Sequence, residues 1–184
     1  MLVKTYCAAV NGLDVTTVTI EVSLTKGVMF RMTGLGDTAV REGRDRMAAA
    51  LVNNGYLFPN ADITVNMAPA DLRKEGSGFD LPLAIGVLAA SKQIEPVGLD
   101  RIMLVGELGL DGALQPVKGA LPIAMRAKAD GFVALVVPQQ NVREAAVVEG
   151  IRVYGMSQMK EVISMITGQE RFQPVSVDTR KEFY

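Results

Sequence analysis

Val18, Ile20, Val22 and Leu24 alternate with Thr17, Thr19, Glu21 and Ser23, a period of two that fits a strand with one buried face. Ahead of it, residues 3–10 form another strand-like run, and Asn11-Gly12 supplies the positive φ that a tight turn between the two needs. Lys26-Gly27 makes a second turn into residues 28–32, so the sheet is expected to begin as an antiparallel meander. Asp37 or Thr38 then caps a helix whose apolar stripe is Val40, Met47 and Leu51, with Gly43 between, and Asn53-Asn54-Gly55 closes it. Ile63, Val65 and Met67 alternate with Asp62, Thr64 and Asn66 as a further strand. A polar loop over 71–79 leads to a second helix, with Asp80 as its expected cap and Pro82 in its first turn, where proline is tolerated.

The second half alternates more regularly. Residues 102–105 read as a buried strand, 110–112 as a turn and 113–115 as a short return. A helix over about 119–129 precedes a strand at 133–137 that Pro138 stops. Asn141 is expected to cap a short helix ending at Gly150, residues 151–154 form a strand, and Ser157 is expected to cap a last helix ended by Gly168. One folded unit over 1–168 is expected. Residues 169–184 show no periodicity and read as a linker or tail.

Composition narrows the chemistry mainly through what is missing. The 184 residues contain no histidine, which removes Ser-His-Asp and Cys-His catalysis, histidine-ligated zinc and histidine bases. One cysteine, Cys7, can form neither an internal disulfide nor a Cys-x-x-Cys metal site. A net charge of −1 gives no broad electrostatic footprint for nucleic acid. No GxxxxGK[ST] occurs, so no Walker A phosphate loop is present. The longest uncharged apolar run, 81–90, is about half of what a bilayer requires. Lys4, Tyr6 and Asn11 break the apolar start, so no secretory signal is read and a cytoplasmic protein without a membrane partner is expected.

Four stretches could carry chemistry. Gly34-Leu35-Gly36-Asp37-Thr38-Ala39 matches G-x-G-x-x-A, a loop that can bring backbone to a pyrophosphate, but it also suits a tight turn with Asp37 as a cap. Arg41, Arg44 and Arg46 could face phosphates, or pair along the helix with Asp45 and Glu42 at i,i+4 spacing. Ser157 and Lys160 fit S-x-x-K, although Ser157 sits where a helix cap belongs. The loop Arg73-Lys74-Glu75-Gly76-Ser77-Gly78-Phe79-Asp80 places a serine between glycines before a helix. Ser77 is thus a candidate nucleophile, with Lys74 or Lys118 as its base, against the reading of a plain surface loop.

The run Asn66-Met-Ala-Pro-Ala-Asp-Leu-Arg-Lys-Glu-Gly-Ser-Gly-Phe-Asp-Leu-Pro-Leu-Ala84 resembles the signature of the magnesium-chelatase-like ComM (YifB) family. Residues 28–46, 105–112 and Pro116-Val-Lys-Gly119 agree with it, and the resemblance covers about 1–170. It implies an N-terminal domain of a hexameric AAA+ ATPase, with ATP and Mg expected in a separate ATPase domain and no cofactor in this stretch. It implies a mixed α/β two-layer sandwich similar to the Lon proteolytic domain, the RadA C-terminal domain and ribosomal-protein-like folds. It also implies a role in DNA branch migration, recombination or natural transformation, with self-association and DNA as partners. Arg41, Arg44, Arg73, Lys74 and Lys118 are candidate DNA or partner contacts on that reading. In Lon a serine of K-D-G-P-S-A-G and a lysine of G-G-L-K form the dyad. Laid on these motifs, Gly78 stands at the serine and Leu121 at the lysine, so the resemblance implies a fold kept without its protease. The alternative is a degenerate serine–lysine peptidase using Ser77 with Lys74 or Lys118.

Overall fold

A computed structural model describes residues 1–182. The strands β1 (Leu2–Asn11) and β2 (Asp14–Thr25) form a long hairpin, in register from Leu2 opposite Ser23 to Asn11 opposite Asp14. Gly12 takes φ +64° in the turn, as the Asn-Gly pair requires. β2 pairs on its other side with β4 (Asp62–Ala68), antiparallel, and beyond β4 lies β3 (Phe30–Thr33), parallel to it, giving the order β1-β2-β4-β3.

The expected meander therefore stops after one hairpin. Two contacts draw the start of β3 to β4 instead of β2. The Met29 N–H donates to Asp62 Oδ1 at 2.8 Å, and the Ile63 N–H donates to the Met29 carbonyl at 2.7 Å. A parallel pair needs a crossover, and α1 (Thr38–Asn53) supplies it, so β3-α1-β4 is a βαβ unit that the alternation of residues did not reveal. As expected, Asp37 caps α1, with Oδ1 accepting the Val40 N–H at 2.8 Å, and Val40, Gly43, Met47 and Leu51 are buried.

Every residue of α2 (Asp80–Ala90) is buried. It lies against β1 and β2: Thr5 Oγ1 donates to the Pro82 carbonyl at 2.9 Å, and a Cβ on Gly86 would sit 2.8 Å from Val22. The cap differs from expectation. Phe79 is the N-cap residue and Asp80 is the first helical residue, its side chain committed elsewhere.

A second, parallel sheet of order β5-β8-β9 is built from β5 (Ile102–Leu104), β8 (Ala134–Pro138) and β9 (Arg152–Met156). The small hairpin β6 (Glu107–Leu108) with β7 (Leu114–Gln115), then α3 (Ala120–Ala129), lie between β5 and β8, and α4 (Val142–Ala145) precedes β9. α5 (Met159–Ile166) follows, capped by a Gln158–Glu161 capping box and not by Ser157. Asn141 is no side-chain cap either; its amide clasps Val117, accepting its N–H at 2.9 Å and donating to its carbonyl at 2.8 Å. The two sheets and their helices share one apolar core, so the architecture is the mixed α/β class with mixed sheets.

Part of the expected tail packs back onto this core. The Val175 N–H donates to the Val153 carbonyl at 2.8 Å, an antiparallel bridge on the edge of β9, and Phe172, Val175 and Val177 pack against the apolar cluster. A short helix, α6 (Thr179–Glu182), follows, and residues 183 and 184 of that segment lie outside the described residues.

One interaction joins the halves. Arg46 of α1 grips Asp80 of α2 through Nε–Oδ2 at 2.7 Å and Nη2–Oδ1 at 3.0 Å, while the Leu108 N–H of β6 donates to Oδ2 at 3.0 Å. Burial pushes the Asp80 carboxyl up from its ordinary range, and the Arg46 fork and the Leu108 amide pull against that. Gly43 leaves room for the pair, since a Cβ there would lie 2.4 Å from Asp80 Oδ1. In a free helix Gly→Ala gains about 1 kcal/mol. Here Gly43→Ala is expected to cost about 2 kcal/mol by displacing a buried, paired charge, read as a lower urea midpoint at unchanged m. A gain in stability would refute the assignment.

Candidate functional site: a serine-bearing loop without a base

The loop between β4 and α2 holds two of the three catalytic candidates, Lys74 and Ser77, and does not bring them together. Lys74 is fully buried. Its Nζ donates to the Gly34 carbonyl at 2.7 Å, to the Met67 carbonyl at 2.8 Å and to the Pro69 carbonyl. Three acceptors match the three protons of an ammonium, whereas a neutral amine has only two to give. Burial pulls Lys74 below the usual lysine range and Asp71 opposes it, but the three acceptors specify the charged form. An ammonium so engaged has no lone pair for a general base and no surface for a phosphate. Both sequence readings of Lys74, a base for Ser77 and a DNA or partner contact, need an accessible amine, and the structure places it in the interior instead.

Ser77 donates to the Glu107 carboxylate of β6. It meets neither Lys74 nor Lys118. Lys118 is exposed, next to the Val117 that Asn141 clasps, and holds no hydrogen bond or ion pair among the described residues. Gly78, the residue at the nucleophile position of the resembled protease, faces hydrocarbon. A Cβ there would lie 3.4 Å from Val105 Cγ1 and 3.6 Å from Val117 Cγ1. Its carbonyl accepts from the Gly106 N–H at 2.9 Å and from the Cys7 thiol at 3.5 Å. Burial pushes the Cys7 thiol up to about 12, so it is not a nucleophile at neutral pH. Leu121, at the lysine position, is half-buried at the start of α3, its N–H on Glu144 Oε1 at 3.2 Å. No lysine reaches Ser77 or the Gly78 position, so no serine–lysine contact forms in the loop, and the Ser77 hydroxyl is held by Glu107 instead.

The surface candidates are scattered. Arg44 stacks between Phe30 and Phe58, with its guanidinium carbon 5.5 and 5.3 Å from the ring centroids, and pairs with Asp45 at 2.9 Å. Asp45 is therefore Arg44's partner and not Arg41's; Arg41 is exposed without an ion pair among the described residues. Glu42 and Arg46 do approach, at 3.7 Å. Arg73 is exposed and pairs with Glu75 at 3.3 Å. Ser157 receives Glu161 on its N–H, and no contact joins it to Lys160.

The G-x-G-x-x-A loop does occupy the turn of a βαβ unit, yet it is closed to a nucleotide. Gly36 bridges to Lys74, the Asp37 N–H donates to the Lys74 carbonyl at 3.0 Å, and the Lys74 N–H donates to the Leu35 carbonyl at 3.0 Å. Gly34, at φ +105°, passes so close to β4 that a Cβ would be 2.2 Å from the Met67 carbonyl oxygen. The Asp37 carboxylate sits at the α1 N-terminus where a phosphate would bind. No cluster of three His, Cys, Asp or Glu side chains suited to a metal occurs among the described residues. This loop thus leaves no room for a pyrophosphate. Two partnerships that position the site, Arg46 with Asp80 and Asn141 with Val117, had no local signal beyond a polar residue beside a helix.

Fold and site together define a Lon-like α/β domain without a serine–lysine dyad. Residues 20–141 match the family model described as subunit ChlI of Mg-chelatase, and the chain belongs to that family. It is 39% identical to the competence protein ComM of Haemophilus influenzae over 178 residues, 96% of this chain and 35% of that protein. It is 39% identical to the uncharacterised protein YifB of Escherichia coli over 176 residues, 94% of this chain and 35% of the relative. A weaker likeness, 25% over 125 residues, connects 66% of the chain to 22% of Lon protease 2 of Bacillus subtilis. The chain spans about a third of the length of the ComM and YifB relatives.

Burial of Lys74 has a direct chemical readout. Native-state acetylation is expected to modify Lys118 readily and spare Lys74 until the protein unfolds. Lys74→Met should cost at least about 3 kcal/mol, since it orphans three buried carbonyls, whereas Ser77→Ala should stay within about 1 kcal/mol of wild type. Equal labelling of both lysines by mass spectrometry would contradict the buried ammonium.

Proposed function

We propose that this domain is a non-proteolytic assembly platform of a hexameric, magnesium-chelatase-like AAA+ ATPase that acts on DNA in the cytoplasm, in branch migration, recombination or transformation. The observation that carries the reading is the loop before α2: the nucleophile position is Gly78 against two valines, and the nearest lysine is saturated by three carbonyls. What remains of a peptidase-like fold is its shape and surface. The match to a protein named for competence supports a link to DNA, and family membership supports an ATPase parent. ATP and Mg would be held by the part of the parent that these 184 residues do not include, in keeping with the missing phosphate loop. No helix among the described residues is long and apolar enough to cross a membrane.

Two measurements test the proposal. A fluorophosphonate probe is expected to label wild type and Ser77→Ala to the same background level; labelling lost in Ser77→Ala would revive the serine peptidase. Light scattering on the 19.7 kDa chain, with and without single-stranded or branched DNA, is expected to find a six-membered species. A monomer under every condition would overturn this domain's role in assembly.

A further inference from the structure

The open ends of the second sheet carry a cationic groove that none of the sequence motifs announced. Arg101 immediately precedes β5, Val133 precedes β8 and Arg152 opens β9. These are consecutive rungs: the Val133 N–H donates to the Arg101 carbonyl at 3.0 Å and the Arg152 N–H to the Val133 carbonyl at 3.1 Å. With strands about 4.8 Å apart, the two arginines start roughly 10 Å from each other. Both line one cavity of about 250 Å³, whose walls include Val97 and Tyr154. Val133 and Arg152 also line an adjoining cavity of about 680 Å³, which adds Lys128 and Phe132. Lys128 is laid over the turn there, since a Cβ on Gly150 would meet its Cε at 3.1 Å.

No carboxylate lines either cavity. Arg101, Lys128 and Arg152 are exposed and make no ion pair among the described residues. Of the acids next to them in sequence, Asp130 is taken by Arg126 and Thr17, and Asp100 lines a different cavity beside Lys4. Lys128 alone would be accounted for by the C-terminus of α3, where a cation offsets the helix dipole. Arg101 and Arg152 have no such reason to gather. Three unpaired cations around an apolar floor, in a chain of net charge −1, are a local excess with no internal use. The floor itself is unusual, for Val97 and Val133 are both exposed, and an aromatic ring lies in each cavity.

We infer that this groove binds the backbone of single-stranded nucleic acid, with Arg101, Lys128 and Arg152 on phosphates and the apolar floor under bases. The inference rests on the proposal that the parent acts on DNA, and it places the contact here and not on the α1 arginines. Planar guanidinium forks suit phosphate oxygens, and base faces stack on apolar and aromatic surface.

The test uses fluorescence anisotropy of a labelled oligothymidylate titrated with the 184-residue chain across a range of KCl concentrations. Three phosphate contacts predict a slope of log K against log salt of about −2. Arg152→Ala should reduce its magnitude by about 0.7. Arg101→Glu with Arg152→Glu should weaken binding at least tenfold with an unchanged melting temperature, while Arg41→Glu with Arg44→Glu should bind as wild type. Binding lost in the α1 pair instead would overturn the groove and leave the DNA reading standing. Equal affinity for polyglutamate would overturn it in favour of an acidic peptide, and no binding by wild type would overturn it outright. The assembled mass, measured on the same samples, reports separately on the platform role.

Discussion

From the loop after β4 to the first residue of α2 the chain buries two formal charges six residues apart, and their satisfaction fixes how the two halves meet. An isolated charge in an apolar interior would cost several kcal/mol, so each must find its full set of partners inside the protein. Lys74 finds three backbone carbonyls from two different segments, Gly34 before α1 and Met67 and Pro69 at the end of β4. Asp80 finds Arg46 from α1 and an amide from β6. The ends of β3 and β4, α1, α2 and the β6 hairpin are thereby located relative to one loop. The apolar core sets how tightly they pack; these two charges help set which packing is chosen.

The same arrangement leaves the loop without the contacts of a serine–lysine dyad. In a serine–lysine dyad the serine needs the lysine within hydrogen-bond reach, and the lysine needs its lone pair. Here the lysine of the loop is a structural cation, and the residue at the nucleophile position lacks a side chain and faces Val105 and Val117. Ser77, one residue early, points its proton at Glu107. A serine at 78 would face the hydrocarbon of Val105 and Val117 and not a lysine.

Much of this was legible in local pattern. The alternation along β2 and β4, the Asn-Gly turn, the Asp37 cap and the apolar block of α2 all follow from spacing alone, because each depends on residues within a turn or two of one another. The pairing of β3 was not legible. Four residues cannot specify which neighbour they join, and the contacts that decide it come from Asp62 and Ile63, thirty residues on. Asp80 and Asn141 have the sequence position of caps because both sit before apolar helical runs, yet their partners, Arg46 and Val117, are remote in sequence. Lys74 misled for the reason that any lysine does: its charge argues for solvent, and only three converging carbonyls reverse that. The packing of 172–177 onto β9 was hidden because a single bridge leaves no period to detect.

Net charge misled in a related way. At −1 over 184 residues the chain gives no average attraction for a polyanion, and the candidate contacts legible in the sequence are Arg41 and Arg44 on α1 with Arg73, Lys74 and Lys118 elsewhere. The fold inverts that distribution. On α1 the clustered cations are largely spent, Arg46 on Asp80 and Glu42, Arg44 on Asp45 and two rings. Residues 101, 128 and 152, far apart in sequence, are brought together by three parallel strands and the turn after α3. At physiological salt a charge is felt over about 8 Å, so acids elsewhere on the surface do little to cancel such a group. What a bound phosphate would sense is the local count of unpaired cations, and that count is set by topology and not by composition.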